Sequence, residues 1–320
     1  MPSARESRLL NEGATDRKSL AILAMLASPL FFSSNLIFGR VVAGEVAPFT
    51  LAFIRWSLVA AMLAPFVIRD RDLVREKLRS QVKSLAILGF LGMWICGALV
   101  YLALEYTTAT NATLIYTTSP VFIILTEAAF AGRRIGMRET IGSALALIGI
   151  AVIVLRGDLA ALLSLTFNRG DLLVLAAAVA WAFYSIRYRS PGLADLPNVT
   201  LFGLVAAAGA MLLLPFAAYE YFSDAAMPAS AGAWTNIAGI VFFASLLAFS
   251  TFQFGVRTLG ASLAGVFMYL LPAYGVLMAR IFLGEPLHGY HLGGIALVMA
   301  GVILATMPVG LLRRRLQPRR

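Results

Sequence analysis

Few side chains in this sequence can bind or move a charge, and their spacing limits what they can do. His288 and His291 stand one helical turn apart, as a zinc pair would, but no further nitrogen or sulfur ligand lies nearby in sequence. An interfacial structural role is expected for them. Cys96, the single cysteine, excludes an intrachain disulfide and a multi-thiolate metal site. There is no P-loop, no recognisable catalytic triad and no carboxylate pair placed for hydrolysis. No enzyme activity, cofactor or metal is expected.

What remains are polar and aromatic side chains inside long apolar stretches. Arg55 follows Pro48 by seven residues, roughly 10 Å along a helix at about 1.5 Å per residue. A charge inside hydrocarbon costs on the order of 3 kcal/mol unless paired or wetted. Glu105 is the candidate counter-charge. A structural ion pair or a snorkelling side chain is favoured for Arg55 over contact with a substrate carboxylate. Glu127, close to Arg133 and Arg134, needs only an interfacial salt bridge. No carboxylate stands in a clear mid-stretch position, so the usual group for proton coupling is missing. Facilitated flux, or coupling through a less obvious group, fits better.

The better candidates for lining a substrate cavity are uncharged. Trp94 and Tyr101 recur with Gly97 at about one-turn spacing. Asn111 and Thr118 share a stripe with Ile115, with Tyr116 beside it. Trp181 and Tyr184 are one turn apart, and Asn35, Gln253, Tyr269 and Tyr274 add polar tips. Tyr and Trp offer an apolar wall with a hydrogen-bonding end, which suits an apolar or aromatic amino acid. The same residues also serve as interfacial belts or helix packing. Pro29, Pro120 and Pro272 each remove a backbone donor and are candidate helix breaks.

These residues need helices in lipid to position them. Of 320 residues, 60% are hydrophobic and 13% charged, too few charges to cover a water-soluble body of this size. A bilayer core takes about 20 helical residues per crossing. Stretches of that length fall at 19–39, 48–68, 84–104, 109–130 and 138–155, then 171–186, 197–217, 234–255, 260–281 and 288–308. The first stretch is full-length and is expected to be retained rather than cleaved as a signal peptide. The expected fold class is an all-α integral membrane protein of ten transmembrane helices.

The formal charge of +10 does not point to nucleic acid, because the basic residues sit in short runs between apolar stretches. With ten crossings, 21 Lys and Arg fall on the side of the N-terminus and 4 on the other, with Arg55 inside a span. Positive-inside bias puts both termini in the cytoplasm and makes the cell membrane, a bacterial inner membrane, the expected location. Residues 1–18 form an N-terminal tail, 19–156 and 157–310 two five-helix units, and 311–320 a basic tail. The basic stretch 70–83 is either a surface helix on anionic lipid or a solvated loop. Expected partners are a small-molecule substrate and membrane lipid, with the chain a monomer or weak homo-oligomer.

The two units resemble each other. At a shift of 152 residues Pro120 falls on Pro272, Gly132 on Gly284, Gly142 on Gly294 and Gly149 on Gly301. At slightly shorter shifts Phe32 falls on Trp181, Asn35 on Tyr184, Pro48 on Pro197 and Pro65 on Pro215, while Arg55 meets Val205. Five spans per unit is odd, so the units enter from opposite faces and form two inverted five-helix repeats. Secondary transporters often have this architecture, with the substrate route at the repeat interface.

The order and spacing of several segments then carry a family resemblance over most of the chain. They are Ser33-Ser34-Asn35 to Arg40, Pro48 to Phe53-Ile54-Arg55-Trp56, Ala103 through Tyr116 to Pro120-Val121-Phe122, Leu271-Pro272-Ala273-Tyr274-Gly275, and Phe282-Leu283-Gly284-Glu285-Pro286. The chain resembles the drug/metabolite transporter superfamily in its ten-span EamA-type branch, and within it the YddG-type exporters of aromatic and other apolar amino acids. It departs from the family at Phe32, where tryptophan is common. The resemblance implies export of small neutral amino acids by alternating access. Transport of a cationic or sugar-nucleotide-like metabolite is the next reading, then a membrane enzyme or lipid flippase. An anionic sugar donor would demand several basic cavity residues, whereas this chain has one deep arginine.

The charge bias makes a direct prediction. With Cys96 replaced, single cysteines near either terminus should be shielded from an impermeant thiol reagent added outside cells, and one in loop 219–233 should react. Labelling of a terminus from outside would overturn the ten-span arrangement.

Overall fold

The computed structural model describes residues 4–306 apart from Ala43 and Phe167; residues 1–3, the expected last-span end at Pro308 and the basic tail 311–320 lie outside the described residues. Ten helices are long and apolar enough to cross a membrane. They are α1 (Asp16–Gly39), α2 (Pro48–Arg69), α3 (Val82–Ala103), α4 (Thr110–Phe130), α5 (Met137–Val154), α6 (Arg169–Arg187), α7 (Asn198–Phe222), α8 (Ala231–Leu259), α9 (Ala261–Phe282) and α10 (Gly289–Thr306). No strand occurs among the described residues. Exposed side chains along these helices include Leu23, Leu172, Met211 and Ile281, which only lipid can cover without penalty.

Local chemistry sets the ends. Pro48 opens α2 at a position where its missing N–H is no loss. Asn168 and Asp171 form a reciprocal capping box at α6. Gly132 and Gly284, equivalent in the two repeats, take positive φ (64° and 69°) where α4 and α9 finish.

The repeat axis can be read from crossed contacts. In α5 and α10, a Cβ built on Gly142 would stand 2.6 Å from the Gly301 carbonyl oxygen, and one on Gly149 would stand 2.7 Å from that of Gly294. Gly142 is equivalent to Gly294 and Gly149 to Gly301, so exchanging the repeats maps one contact onto the other. The helices run antiparallel, which places the two-fold axis across them, in the membrane plane. A second crossed pair ties α2 to α7. Thr50 Oγ1 donates to Glu220 Oε2 at 2.8 Å, and Thr200 Oγ1 donates to Asp70 Oδ2 at 2.5 Å; the threonines and the acids are each 150 residues apart. The Thr200 hydroxyl and Arg69 together hold the Asp70 carboxyl below its ordinary range. The remaining packing follows the same exchange: α1 lies on α8 as α6 lies on α3, and α1 meets α9 as α6 meets α4. The fold is an all-α ten-span bundle of two inverted five-helix repeats.

Helix irregularities are paired too. α4 breaks at Thr117–Thr118 just before Pro120, and α9 tightens to a 3₁₀ turn at Met268–Leu270 just before Pro272. The Thr117 and Thr118 hydroxyls fold back onto the carbonyls of Leu114 and Ile115, at 2.9 and 2.6 Å, satisfying oxygens within the break. α3 and α8 each contain a π-helical segment, Phe90–Leu99 and Ile240–Leu247. Pro29 interrupts nothing: α1 lies within one helix, Ala4–Val42. The Ser33 hydroxyl, one turn later, lies 2.8 Å from the Pro29 carbonyl and 2.9 Å from that of Leu271 on α9, an alternative donation that ties α1 to α9.

The loops that carry most of the basic residues meet at one end of the bundle. The stretch after α2 forms a helix, Arg71–Ser80, whose Lys77 is buried and paired with Asp195 at 2.9 Å; that pairing holds the Lys77 ammonium above its usual pKa. Arg257 donates to the carbonyls of Leu196 and Ala194 at 2.7 and 2.6 Å.

The glycine crossing predicts an asymmetric response to adding one methyl group. Gly149→Ala should destabilise the purified protein by about 1–3 kcal/mol, because backbone has to move. Gly293→Ala, with nothing within 4 Å of its Cβ position, should leave the melting temperature nearly unchanged. Equal effects would refute the contact.

Candidate functional site

Four helices converge on a small polar junction between the repeats. Arg55 of α2 is 6% exposed. Its Nε donates to Ser245 Oγ at 2.5 Å and its Nη2 to the Ala244 carbonyl at 2.9 Å, both in the π-segment of α8. Nη1 donates to Tyr101 Oη of α3 at 3.1 Å, and that hydroxyl donates to Asn35 Oδ1 of α1 at 3.3 Å. The guanidinium also lies over the Trp56 ring, 4.7 Å from its centroid. Among the described residues, no ion pair involves Arg55. Glu105 is therefore not its counter-charge. The reason is geometric: Arg55 reaches sideways into α8, whereas Glu105 is exposed in the turn after α3.

An aromatic core abuts this junction. Trp181 of α6 stacks on Tyr184 at 5.3 Å and packs against Phe32 (5.9 Å), Phe249 (5.5 Å) and Phe252 (4.8 Å). Phe249 links core to junction, since it also meets Trp56 at 4.9 Å and lies 5.9 Å from the Arg55 guanidinium. Toward the basic end the core closes on Gln253, whose Nε2 donates to Tyr184 Oη at 2.6 Å and whose Oε1 accepts from Tyr188 Oη at 3.0 Å. Gln253 and Tyr184 have no exposed surface, while Asn35 and Tyr101 are half-buried.

The other expected cavity residues are dispersed. Tyr116 is half-buried on α4 and its hydroxyl reaches Cys96. Trp94 stands apart in a lateral cluster with Phe49, Phe90 and Phe216, at 5.6, 5.2 and 5.2 Å. Asn111 donates to the Thr166 carbonyl (3.2 Å) and to Asp171 Oδ2 (3.3 Å), joining α4 to the start of α6. Thr118 is spent on its own helix. Tyr269 is buried beside Ser143 of α5, and Tyr274 is half-buried on α9. Glu127 accepts from the Ser262 hydroxyl and N–H at the start of α9, and pairs with Arg189 (3.3 Å) and Arg133 (3.8 Å) rather than Arg134. His291 Nδ1 accepts from the His288 N–H at 3.1 Å, a local cap at α10, and no group of three metal-ligating side chains occurs among the described residues. Sequence reasoning passed over Ser245, Phe249, Phe252 and Tyr188. Only the i, i+3 pair of phenylalanines and the i, i+4 pair of tyrosines carried a signal for them.

The Gln253 bridge gives a coupling that can be measured. Gln253→Leu leaves the buried Tyr184 hydroxyl without its partner and Tyr188 with only its longer bond to the Asn198 carbonyl (3.3 Å), and should cost about 1–3 kcal/mol in thermal stability. In a Tyr184→Phe, Tyr188→Phe background the same change should cost far less. Equal costs in the two backgrounds would show that the bridge contributes nothing.

Comparison with known proteins agrees with this architecture. A solved crystal structure superposes with a TM-score of 0.70 at 23% identity, covering 94% of this chain and 99% of its own. An uncharacterised transporter of Archaeoglobus fulgidus is 29% identical over 89% of this chain and 96% of its own length. The Bacillus subtilis transporter YyaM, also uncharacterised, is 24% identical over 89% and 92%. A protein of Streptantibioticus cattleyicolor described as a probable terminal-alkyne amino-acid exporter is 29% identical over 83% and 84%. The profile of the EamA-like transporter family matches twice, over residues 19–155 and 168–307. With two five-helix repeats each accounted for, the chain is a multi-pass membrane protein that belongs to the EamA-like transporter family.

Proposed function

We propose that this transporter exports small neutral amino acids, preferring apolar or aromatic ones, across the cytoplasmic membrane by alternating access. The observation that carries the reading is the contact between the polar junction and the aromatic core. Arg55, Tyr101 and Asn35 supply charge and hydrogen bonds, and Phe249, Trp181 and Phe32 begin where they end. A zwitterion with an apolar side chain has the same division. The relative described as an amino-acid exporter supports the substrate class. For alternating access, the aromatic core is the closed side, because Trp181, Tyr184, Tyr188 and Phe252 are each at most 3% exposed. The half-buried Asn35 and Tyr101 lie on the side from which substrate is released.

Flux measured in proteoliposomes, normalised to folded protein, tests this assignment. Trp181→Ala should change flux of bulky apolar amino acids several-fold more than flux of small polar ones, and Tyr116→Ala, outside the aromatic core, should do so less. A purely structural tryptophan would instead lower stability and depress every substrate alike. Uniform loss across a panel that includes quaternary ammonium and sugar-nucleotide compounds would refute the selectivity role. Running the panel with and without a proton gradient separates coupled from facilitated flux.

A further inference from the structure

Two buried donors beside each other lack the partner their chemistry demands. Arg55 is a buried cation whose three hydrogen-bond partners are all neutral. A guanidinium has five N–H donors, so one remains on each Nη nitrogen. On the adjacent residue, the Trp56 indole Nε1 is buried and has no hydrogen-bond partner among the described residues. An indole N–H left unpaired in a protein interior is costly and so requires an explanation.

Gly97 supplies one. Its Cβ position would lie 2.9 Å from Trp56 Nε1, and the next nearest atoms, both of the same indole ring, are 3.8 and 3.9 Å away. The indole nitrogen thus packs against the Gly97 main chain with no α3 side chain between them, and Gly97 brings it no acceptor. Gly97 and Tyr101 are one turn apart on α3, so the same helix face presents a hydroxyl to Arg55 and a bare Cα to Trp56. The second repeat has no counterpart, because Val205 stands where Arg55 would.

We propose that Arg55, Trp56 and the bare face of Gly97 form a subsite that takes the carboxylate of the transported molecule. The assignment rests on the amino-acid reading above and names the part of the substrate held there. The carboxylate neutralises Arg55, accepts from its free N–H groups and completes the indole N–H. The substrate's apolar side chain is then directed toward Phe249 and Trp181.

The test follows the indole N–H itself. The chain has four tryptophans, so ¹⁵N-tryptophan labelling gives a short set of indole signals, and Trp56→Phe identifies the one to watch. L-phenylalanine and acetate should shift that signal, whereas phenethylamine and chloride should not. Arg55→Gln should weaken the response to both carboxylates at least tenfold, and Arg55→Lys should weaken it less. Gly97→Ala, whose methyl group would press on the indole nitrogen, should abolish the shift. If Arg55→Gln fails to fold, Trp56→Phe still reports: it should weaken L-phenylalanine binding about tenfold, the loss of one charge-assisted hydrogen bond, and leave phenethylamine binding unchanged. If acetate shifts the signal but L-phenylalanine does not, the subsite stands and the apolar amino-acid reading falls. If L-phenylalanine raises the melting temperature while the Trp56 signal stays still, the subsite is wrong and the transport reading survives. A chloride shift as large as that from acetate would identify an inorganic anion site and overturn the proposal. No response to any probe would overturn both.

Discussion

Where α5 crosses α10, main chain meets main chain. Lipid tails are as apolar as leucine, so no hydrophobic force draws two membrane helices together, and close packing must supply the attraction instead. Gly142, Gly149, Gly294 and Gly301 provide it, because any side chain there would strike the opposing helix. Glycines at equivalent positions of the two repeats admit one mutual arrangement, antiparallel about an axis in the membrane plane. The Thr50–Glu220 and Thr200–Asp70 bonds repeat the arrangement at α2 and α7. The helices between these two pairs are set by the same axis, and the centre of the bundle lies on it.

Symmetry of the scaffold does not extend to its lining. Phe32 and Trp181 are equivalent residues and touch near the axis, as a two-fold arrangement allows. Arg55 and Val205 are also equivalent, yet only one carries a charge. The π-segments illustrate the consequence. That of α8 offers Ser245 Oγ and the Ala244 carbonyl to Arg55, whereas that of α3 ends two residues before Tyr101, whose hydroxyl is what α3 offers. Wider helical turns expose backbone acceptors inside a membrane only where another group takes them. The irregular backbone and the buried charge thus support each other, and the polar junction exists in one repeat orientation only.

Buried polar groups elsewhere in the bundle are mostly structural. Glu127 closes the start of α9 and joins two arginines, Asp171 caps α6 and receives Thr107 at 2.5 Å and Asn111, and Gln253 bridges two tyrosines. Each ties separate parts of the chain together. Arg55 and Trp56 differ from them in standing side by side with a buried charge that meets only neutral partners.

The motif segments carry the family resemblance, and the pattern of the chain carries the spans, the repeat and its inversion. These are properties of composition, periodicity and spacing, which survive without knowledge of contacts: a stretch of about twenty apolar residues has one stable outcome in lipid, and an odd span count inverts a repeat. The breaks before Pro120 and Pro272 were legible for the same reason, since a missing N–H is local. Pro29 was not, because a proline within a packed helix can be absorbed without a break, as the continuous α1 shows. The lining was the least legible part. Trp94 and Trp181 have similar local surroundings in sequence, yet one packs laterally with Phe216 and the other lies at the centre. Glu105 looked like a partner for Arg55 by depth alone, but it stands exposed in the turn after α3 while Arg55 is directed into α8. Depth follows from residue count, whereas the direction a side chain faces is set by how the helices pack against one another.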